Sequence, residues 1–184
     1  MMPSKMDDLP RTLPRVLVAA VTASRARAAE DAAKGAAEEI EAAKLKLVRS
    51  VVVKGEAQYI RQLVHHVSND NEADAIIMVG GVGLGPRDVT CDALDSFFER
   101  HIEGFGDAFR QLLRDEFKVG VGALLERSSA GVYNRCLVYA LPNRIAVVRK
   151  AIQVLIAPTL VEAVDLASEA VPHTARATPS AAGR

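Results

Sequence analysis

A buried strand that runs into a cluster of glycines is the feature that most constrains how this chain can fold. The apolar run 76–79 is followed by four glycines within residues 80–85, named here the glycine loop, then by Arg87, Asp88 and Thr90. Open α/β sheets bind ligands at the carboxyl ends of their strands, so this layout brings backbone N–H groups, a cation and a carboxylate to a candidate site. Thr90 or Asp88 is expected to cap the following helix, whose N-terminus favours anions.

Apolar runs alternate with helical patterns along the rest of the chain. Strands that alternate with helices indicate the α/β class, with a mostly parallel sheet covered by helices on both faces. The last predicted helix is expected to be interrupted or ended by Pro158. Strands are predicted at 16–21, 47–53, 75–79 and 136–141, and helices at 25–44, 56–69, 92–100, 106–117, 121–127 and 144–157.

The length of 184 residues is enough for one domain with a full core. We expect the domain at residues 15–166. Residues 1–14 contain three prolines and few apolar side chains, so a flexible arm is predicted there. Residues 167–184 are rich in Ala, Ser, Thr and Pro and are predicted to be a disordered tail.

Charge and composition narrow the classes of partner. Lys plus Arg and Asp plus Glu both number 23, and this zero net charge disfavours a nucleic-acid partner bound through bulk charge. The polar N-terminus does not resemble a signal peptide, and no apolar run approaches about 20 residues, so neither export nor a membrane span is expected. A cytoplasmic protein is predicted. Cys91 and Cys136 lack metal-ligand spacing and are expected to be small core residues.

A dinucleotide-binding interpretation of the glycines fails on context. The glycines follow the third predicted strand rather than the first, and Pro86 stands where the last glycine of the fingerprint is required. No lysine of the P-loop type follows either.

Four motifs, in order, resemble those of the MoaB/MogA-type molybdopterin-binding domain, which also occurs in gephyrin and MoeA-type proteins. Residues 80–90 contain Gly-Gly-Val-Gly and Arg-Asp-Val-Thr, close to the Gly-Gly-Thr-Gly and Arg-Asp-Val-Thr of the family. Residues 103–110 are similar to its Pro-Gly-Phe-x-x-x-Phe-Arg segment, and residues 129–134 to its Ala-Gly-x-x-Asn segment. Leu-Pro at 141–142 begins what is normally Leu-Pro-Gly-Ser-Pro. The resemblance spans residues 16–166.

The resemblance implies a three-layer α/β/α sandwich that is often a homotrimer. Family members bind molybdopterin, and the MogA-like enzymes adenylylate it with Mg-ATP, which prepares the pterin for molybdate insertion. It therefore implies molybdopterin as ligand or substrate, with ATP and Mg²⁺ as further requirements.

The resemblance and the residue chemistry together give a set of candidate site residues. Asp88 is expected to be catalytic and to hold Mg²⁺, since a carboxylate can bind this ion or its water shell. N–H groups of the glycine loop can cradle a phosphate or a ring edge, and Arg87 can pair with a phosphate. The expected binding residues are Gly80, Gly81, Val82, Gly83, Arg87, Thr90, Gly131, Asn134, Pro142, Asn143 and Arg144.

Several of these assignments have a purely structural alternative. Arg87 and Asp88 also fit a helix cap with a local ion pair. The glycines fit a tight turn that needs positive φ, an interpretation that is compatible with a binding role. Asn134 fits a turn equally well.

Three departures from the family pattern lie at the presumed edge of the site. Val82 replaces a threonine, so a hydroxyl is lost. Asn143, Arg144 and Ile145 replace the Gly-Ser-Pro turn, which adds bulk and a cation. The Asp-x-Ser-Gly segment expected at the first helix is represented by residues 30–35, which lack the serine.

The sequence leaves two main functional hypotheses open. The first is a molybdopterin-binding enzyme of cofactor biosynthesis, an adenylyltransferase, which the glycine loop and Asp88 favour. The second is a catalytically degenerate paralogue that serves as an oligomeric binding or scaffold protein, which the three departures favour. A third, weaker hypothesis is a different phosphate binder that uses Arg144.

Overall fold

A six-stranded mixed sheet divides the fold into two helical layers. The computed structural model describes residues 13–22 and 26–168. The strands are β1 (Arg15–Thr22), β2 (Lys46–Lys54), β3 (Ala75–Val79), β4 (Arg100–His101), β5 (Ser129–Tyr133) and β6 (Cys136–Leu141). Their order is β2-β1-β3-β6-β5-β4, with parallel pairing from β2 to β6 and antiparallel pairing of β5 with β6 and β4. The predicted α/β/α class with a mostly parallel sheet is confirmed.

The helices pack on both faces of this sheet. One face is covered by α1, α4, α5 and α6, and the other by α2 and α3. A 3₁₀-helix, Gly120–Leu125, follows α4, and a π-helical segment, Ile152–Ile156, joins α5 to α6. The α-helices are α1 (Ala26–Ala42), α2 (Ala57–Asn69), α3 (Thr90–Asp95), α4 (Glu103–Phe117), α5 (Ile145–Ala151) and α6 (Ala157–Ser168).

The central strands are buried on both faces, which explains why they were predictable. Every residue of β3 and β6 is buried. In β1, Val16 and Val18 pack under α1 and α5, while Leu17 and Ala19 face α2 and α3. A strand buried on both faces appears in the sequence as a continuous apolar run rather than an alternating one.

Both cysteines are core residues, as predicted. Cys91 and Cys136 are buried free thiols. Burial raises the pKa of the Cys91 thiol to about 11 and that of the Cys136 thiol to about 12.

The predicted helix at 92–100 is largely wrong. Helix α3 ends at Asp95, and β4 then adds two residues to the edge of the sheet. The sequence pattern also missed β5, which contains Gly131, a residue without a side chain. The ring of Phe98 occupies the space beside Gly131, where an added Cβ would lie 2.4 Å from a ring carbon. Non-local packing therefore decides the structure of this region.

The last α-helix is interrupted before Pro158 by the π-helical segment Ile152–Ile156, as one predicted alternative had it, and the other alternative, that the helix ends there, is wrong. The helix continues to Ser168 because its turn widens before the proline. The Ala157 N–H bonds five residues back, to the Ile152 carbonyl. A π-turn of this kind changes the pairing of the carbonyls and accommodates a residue that has no N–H to donate. The Thr159 hydroxyl donates to the Leu155 carbonyl at 2.8 Å.

Among the described residues, the helical stretch Ile145–Ser168 is long and apolar enough to cross a membrane by length and composition alone. Its inner face nevertheless forms part of the core, since Val148, Ile152, Ile156 and Leu160 are fully buried. This is the arrangement of a core helix in an α/β domain. The absence of a membrane partner stays a prediction.

Most of the predicted arm and tail lies outside the described residues. Of the arm 1–14, only residues 13 and 14 are described, and of the tail 167–184, only residues 167 and 168. The domain limits 15–166 remain a prediction.

We predict that Gly131→Ala destabilises the protein by about 1–3 kcal/mol, because the new methyl group must displace the ring of Phe98. Urea unfolding measures this change. Gly104→Ala is the matched control, since nothing lies within 4 Å of the added Cβ. Equal stability of the two variants would show that the contact of Gly131 with Phe98 does not constrain the strand.

Candidate functional site

The carboxyl ends of the parallel strands meet at one edge of the sheet, where most of the predicted site residues lie. β3 leads into the glycine loop and β6 leads into residues 142–144. The two connections touch, because the Gly80 N–H donates to the Leu141 carbonyl at 2.8 Å. β5 is antiparallel to β6, so residues 126–128, which precede it, lie at the same edge.

The backbone of the glycine loop requires its first two glycines. Gly80 has φ +111° and Gly81 has φ +69°, which side chains rarely tolerate. A Cβ on Gly80 would lie 2.7 Å from the Val21 carbonyl oxygen, and one on Gly81 would lie 2.4 Å from the Thr90 hydroxyl. The tight-turn interpretation of these glycines is confirmed.

Thr90 ties this turn to the helix that follows. Its hydroxyl donates to the Gly80 carbonyl at 2.8 Å, and its N–H donates to the Gly81 carbonyl at 2.9 Å. The side chain is fully buried. The prediction that Thr90 or Asp88 caps α3 is wrong, because Val89 is the N-cap residue and no side chain caps the helix.

The Asp88 carboxylate folds back into the glycine loop. Its Oδ2 accepts a hydrogen bond from the Gly85 N–H at 3.1 Å, and the Asp88 N–H donates to the Gly85 carbonyl at 2.9 Å. A Cβ on Gly83 would lie 2.6 Å from Oδ2, and one on Gly85 would lie 2.9 Å from it. These glycines therefore make room for the carboxylate, whose other oxygen makes no hydrogen bond to the described protein.

Arg87 is exposed and has no hydrogen-bond or ion-pair partner in the described part of the chain. The alternative in which Arg87 and Asp88 form a local ion pair is therefore wrong. A guanidinium without a protein partner, next to open loop N–H groups, can pair with an anionic ligand.

Arg127, which precedes β5, makes a hydrogen bond to the glycine loop. Its Nη1 donates to the Gly83 carbonyl at 3.4 Å, and its guanidinium forms an ion pair with Asp92. The hydrogen bond from Arg127 holds the pKa of the Asp92 carboxyl below its usual range. The Arg127 carbonyl accepts from the Cys91 thiol at 2.9 Å. No pattern in the sequence singled out Arg127, because the strand that it precedes was not predicted.

The cation introduced by the altered turn also has a protein partner. Arg144 Nη2 lies 2.6 Å from Glu126 Oε1. Arg110 Nη1 donates to the Glu126 carbonyl at 3.4 Å and its Nη2 to Asp107 at 2.6 Å. Ser128, two residues after Glu126, is buried, and its hydroxyl has no hydrogen-bond partner among the described residues. Such an orphaned group is unusual in a protein interior and lies at the ligand edge of the sheet.

Two of the predicted site residues, Asn134 and Gly131, lie away from this edge. Asn134 and Arg135 form the turn between β5 and β6, with φ 44° and 64°. This turn is at the opposite edge, about 16 Å away along β3 at about 3.3 Å per residue. Asn134 donates to Asn69 there, at 2.7 Å. Its alternative role as a turn residue is confirmed. Gly131 lies inside β5, against Phe98.

The segment 30–35 lies inside α1 rather than at its start. Asp31 is exposed on the helix. Gly35 is buried where α1 contacts α5, and a Cβ on it would lie 2.6 Å from Ile145 Cγ1. Gly35 therefore serves close helix packing, beside the altered turn.

We predict that Thr90→Val destabilises the protein by about 1–3 kcal/mol, because the near-isosteric side chain leaves the buried Gly80 carbonyl without its donor. Guanidinium unfolding measures the loss. Thr159→Val, which removes an exposed hydroxyl, should change stability by less than about 0.5 kcal/mol. A Thr90→Val protein as stable as the Thr159→Val protein would contradict the role of this hydrogen bond.

Comparisons with known proteins agree with the architecture. A family model described as a probable molybdopterin binding domain matches residues 17–162. Molybdenum cofactor biosynthesis protein B of Staphylococcus epidermidis is 39% identical over 110 residues, covering 59% of this chain and 62% of the relative. A probable molybdopterin adenylyltransferase of Methanocaldococcus jannaschii is 33% identical over 104 residues, covering 56% and 63%. These alignments span less than two thirds of the relatives' length.

Solved structures match over a longer stretch. The crystal structure of a molybdenum cofactor biosynthesis protein B has a TM-score of 0.79 and 26% identity, and the match covers 86% of this chain and 98% of that one. MoaB from Thermus thermophilus has a TM-score of 0.72 and 24% identity, covering 84% and 96%. The second likeness bears on the fold alone.

Proposed function

The chain belongs to the family of molybdopterin-binding domains, and on this basis we propose that it binds molybdopterin in the biosynthesis of the molybdenum cofactor. The observation that carries the proposal is the glycine loop at the end of β3. Its N–H groups lie within one short connection together with Arg87 and one oxygen of Asp88, neither of which has a partner among the described residues. This combination suits a ligand that has a phosphate and a planar ring.

We further propose that the ligand is adenylylated with Mg-ATP. The relative named a probable molybdopterin adenylyltransferase supports this reaction class. When bound, Mg²⁺ would neutralise phosphate charge during nucleotidyl transfer. No cluster of three metal-binding side chains exists within the described residues. A single carboxylate fits Mg²⁺ all the same, because this ion commonly binds one or two carboxylates together with substrate phosphates and water. Asp88 is the residue that would hold it.

Each residue of the loop has a distinct part in this proposal. Arg87 pairs with a ligand phosphate, and the N–H groups of Gly81 and Gly83, which donate to no described residue, bind its oxygens or the ring edge. Gly85 keeps the Asp88 carboxylate oriented through its N–H. Arg127 fixes the position of the loop through the Gly83 carbonyl. Preorganised groups of this kind act without rearrangement during the reaction.

We predict that Asp88→Asn lowers the rate of pterin adenylylation about a hundredfold or more, on the order of 3 kcal/mol in the transition state. The assay incubates the purified protein with molybdopterin and Mg-ATP and detects adenylylated pterin by mass spectrometry. Asp70→Asn, an exposed change at the opposite edge of the sheet, is the control. An active wild type whose Asp88→Asn variant keeps the full rate would contradict the role of Asp88.

The second candidate function is a degenerate paralogue that binds or scaffolds without catalysis. The observation that favours it is the burial of Val82, which is 3% exposed and packs among residues of the core. At position 82, where the family has a threonine hydroxyl, this chain has a valine side chain that offers the ligand no polar group. The same assay distinguishes the candidates, since this protein would bind molybdopterin and form no adenylylated product.

We predict that Arg144→Ser, which restores the family residue, weakens molybdopterin binding about tenfold. The reason is that a charged hydrogen bond contributes about 1.5–3 kcal/mol, and Arg144 can exchange Glu126 for a ligand phosphate. Fluorescence titration of the pterin measures the affinity. Arg149→Ser, which removes a cation of α5 that is paired with Glu38 of α1, is the control. Unchanged affinity in Arg144→Ser would mean that Arg144 serves only Glu126.

We also propose that the protein is a cytoplasmic homotrimer without a nucleic-acid or membrane partner. Family resemblance and the generous apolar content motivate the oligomer. Light scattering at micromolar concentration should give three times the mass of the chain. A stable monomer would overturn the trimer.

A further inference from the structure

The outer edge of β2 is open in the described part of the chain. β2 is the first strand in the order of the sheet and, among the described strands, pairs only with β1. Its nine residues expose one row of backbone N–H and carbonyl groups. Such an edge is a template on which another extended segment can add a strand.

A bulge confines regular geometry to the second part of this strand. Val16 pairs with Leu47 and Leu17 pairs with Arg49, so Val48 is an extra residue. From Arg49 to Lys54 the register is continuous. Bulges commonly end or redirect strand pairing, so an added strand would align with residues 49–54.

A surface groove of about 430 Å³ lies between this strand and α2. Its apolar lining consists of two valines of β2 together with Tyr59 and Leu63 of α2. Val52 is 61% exposed, an unusual degree for a strand valine. A groove beside a free edge can receive alternate side chains of an added strand. The lining residues are Arg49, Val52, Val53, Lys54, Tyr59, Gln62, Leu63 and His66.

The charge of this surface is positive. β2 carries Lys46, Arg49 and Lys54 and no carboxylate. The described groove lining likewise contains two cations and no carboxylate. Glu72 pairs with Arg49, and Lys54 lies 5.2 Å from the centre of the Tyr59 ring. Lys54 and Lys46 thus have no carboxylate partner among the described residues.

This charge disfavours a second copy of the chain as the occupant. An antiparallel, twofold pairing of residues 49–54 from two copies would place Arg49 opposite Lys54 at both ends. Like charges directly opposite one another in a sheet are destabilising. An acidic strand meets no such repulsion.

We propose that the β2 edge and its groove bind an extended acidic peptide segment of a partner protein, which adds a strand antiparallel or parallel to residues 49–54. Main-chain hydrogen bonds hold the segment on the edge. An apolar side chain of the segment enters the groove beside Tyr59 and Leu63, and a carboxylate at the end of the added strand lies beside Lys54, whereas Arg49 stays paired with Glu72. This surface is separate from the glycine loop, so the proposal does not depend on the proposed enzymatic function.

The test uses the full chain and a fluorescein-labelled synthetic peptide, Glu-Val-Asp-Phe-Glu-Val-Asp, followed by fluorescence anisotropy at low salt. We expect saturable binding, and a loss of at least tenfold in affinity for Lys54→Glu. Arg114→Glu, an exposed charge reversal on α4 at the other end of the sheet, should bind like the wild type. A peptide with lysine in place of each acidic residue should not bind.

A backbone control separates strand addition from simple charge attraction. The same acidic peptide with N-methylated alternate amides, which cannot donate along one edge, should lose most of its affinity. Equal binding of the methylated peptide, or no effect of Lys54→Glu, would overturn the proposal. A change of molar mass in the Lys54→Glu protein by light scattering would also overturn it, because a second copy would then cover the edge.

Discussion

The buried hydrogen bond from the Thr90 hydroxyl to the Gly80 carbonyl connects the end of the central strand to the helix that follows the glycine loop. Both partners are shielded from water, so the bond persists only while the loop keeps its tight turn. The turn in turn depends on two glycines with positive φ, one of them in contact with Thr90. The positions of the loop N–H groups and of Asp88 follow from this arrangement.

The charges around the loop fall into two kinds. Arg127 and Arg144 are held by Asp92 and Glu126, and these ion pairs fix the neighbouring strand and turn. Arg87 has no such partner in the described residues. A site in which Arg87 is unpaired among the described residues, while Arg127 and Arg144 hold carboxylates until a ligand displaces one, attracts an anion without a large uncompensated charge. This division agrees with the zero net charge of the whole chain.

The sequence was a good guide wherever burial produces a simple pattern. β3 and β6 were predicted to the residue because both faces of each strand are covered. β4 and β5 could not be predicted, since two residues carry too little pattern and Gly131 packs against a ring 33 positions earlier. The extent of the last helix escaped prediction because a π-turn compensates for Pro158.

The candidate site shows the same limits. The glycine loop was evident from local sequence, because its residues are neighbours along the chain. Arg127 donates to the Gly83 carbonyl, 44 positions earlier in the chain. The antiparallel strand β5, which follows Arg127 and positions it, has no local sequence pattern that predicts it. Asn134 was grouped with the site by motif order, yet the direction of β5 carries it to the far edge. Which residues converge depends on strand direction, and strand direction is a property of the assembled sheet.

The contact between Gly35 and Ile145 links two segments that differ from the family pattern. The missing side chain of Gly35 leaves a notch in α1, and Ile145 fills it. Exchanging the turn at 143–145 for a smaller one would empty that notch and leave a void between the helices. Grafting the turn of a relative onto this chain should therefore include the facing segment of α1, since the two segments pack directly against each other.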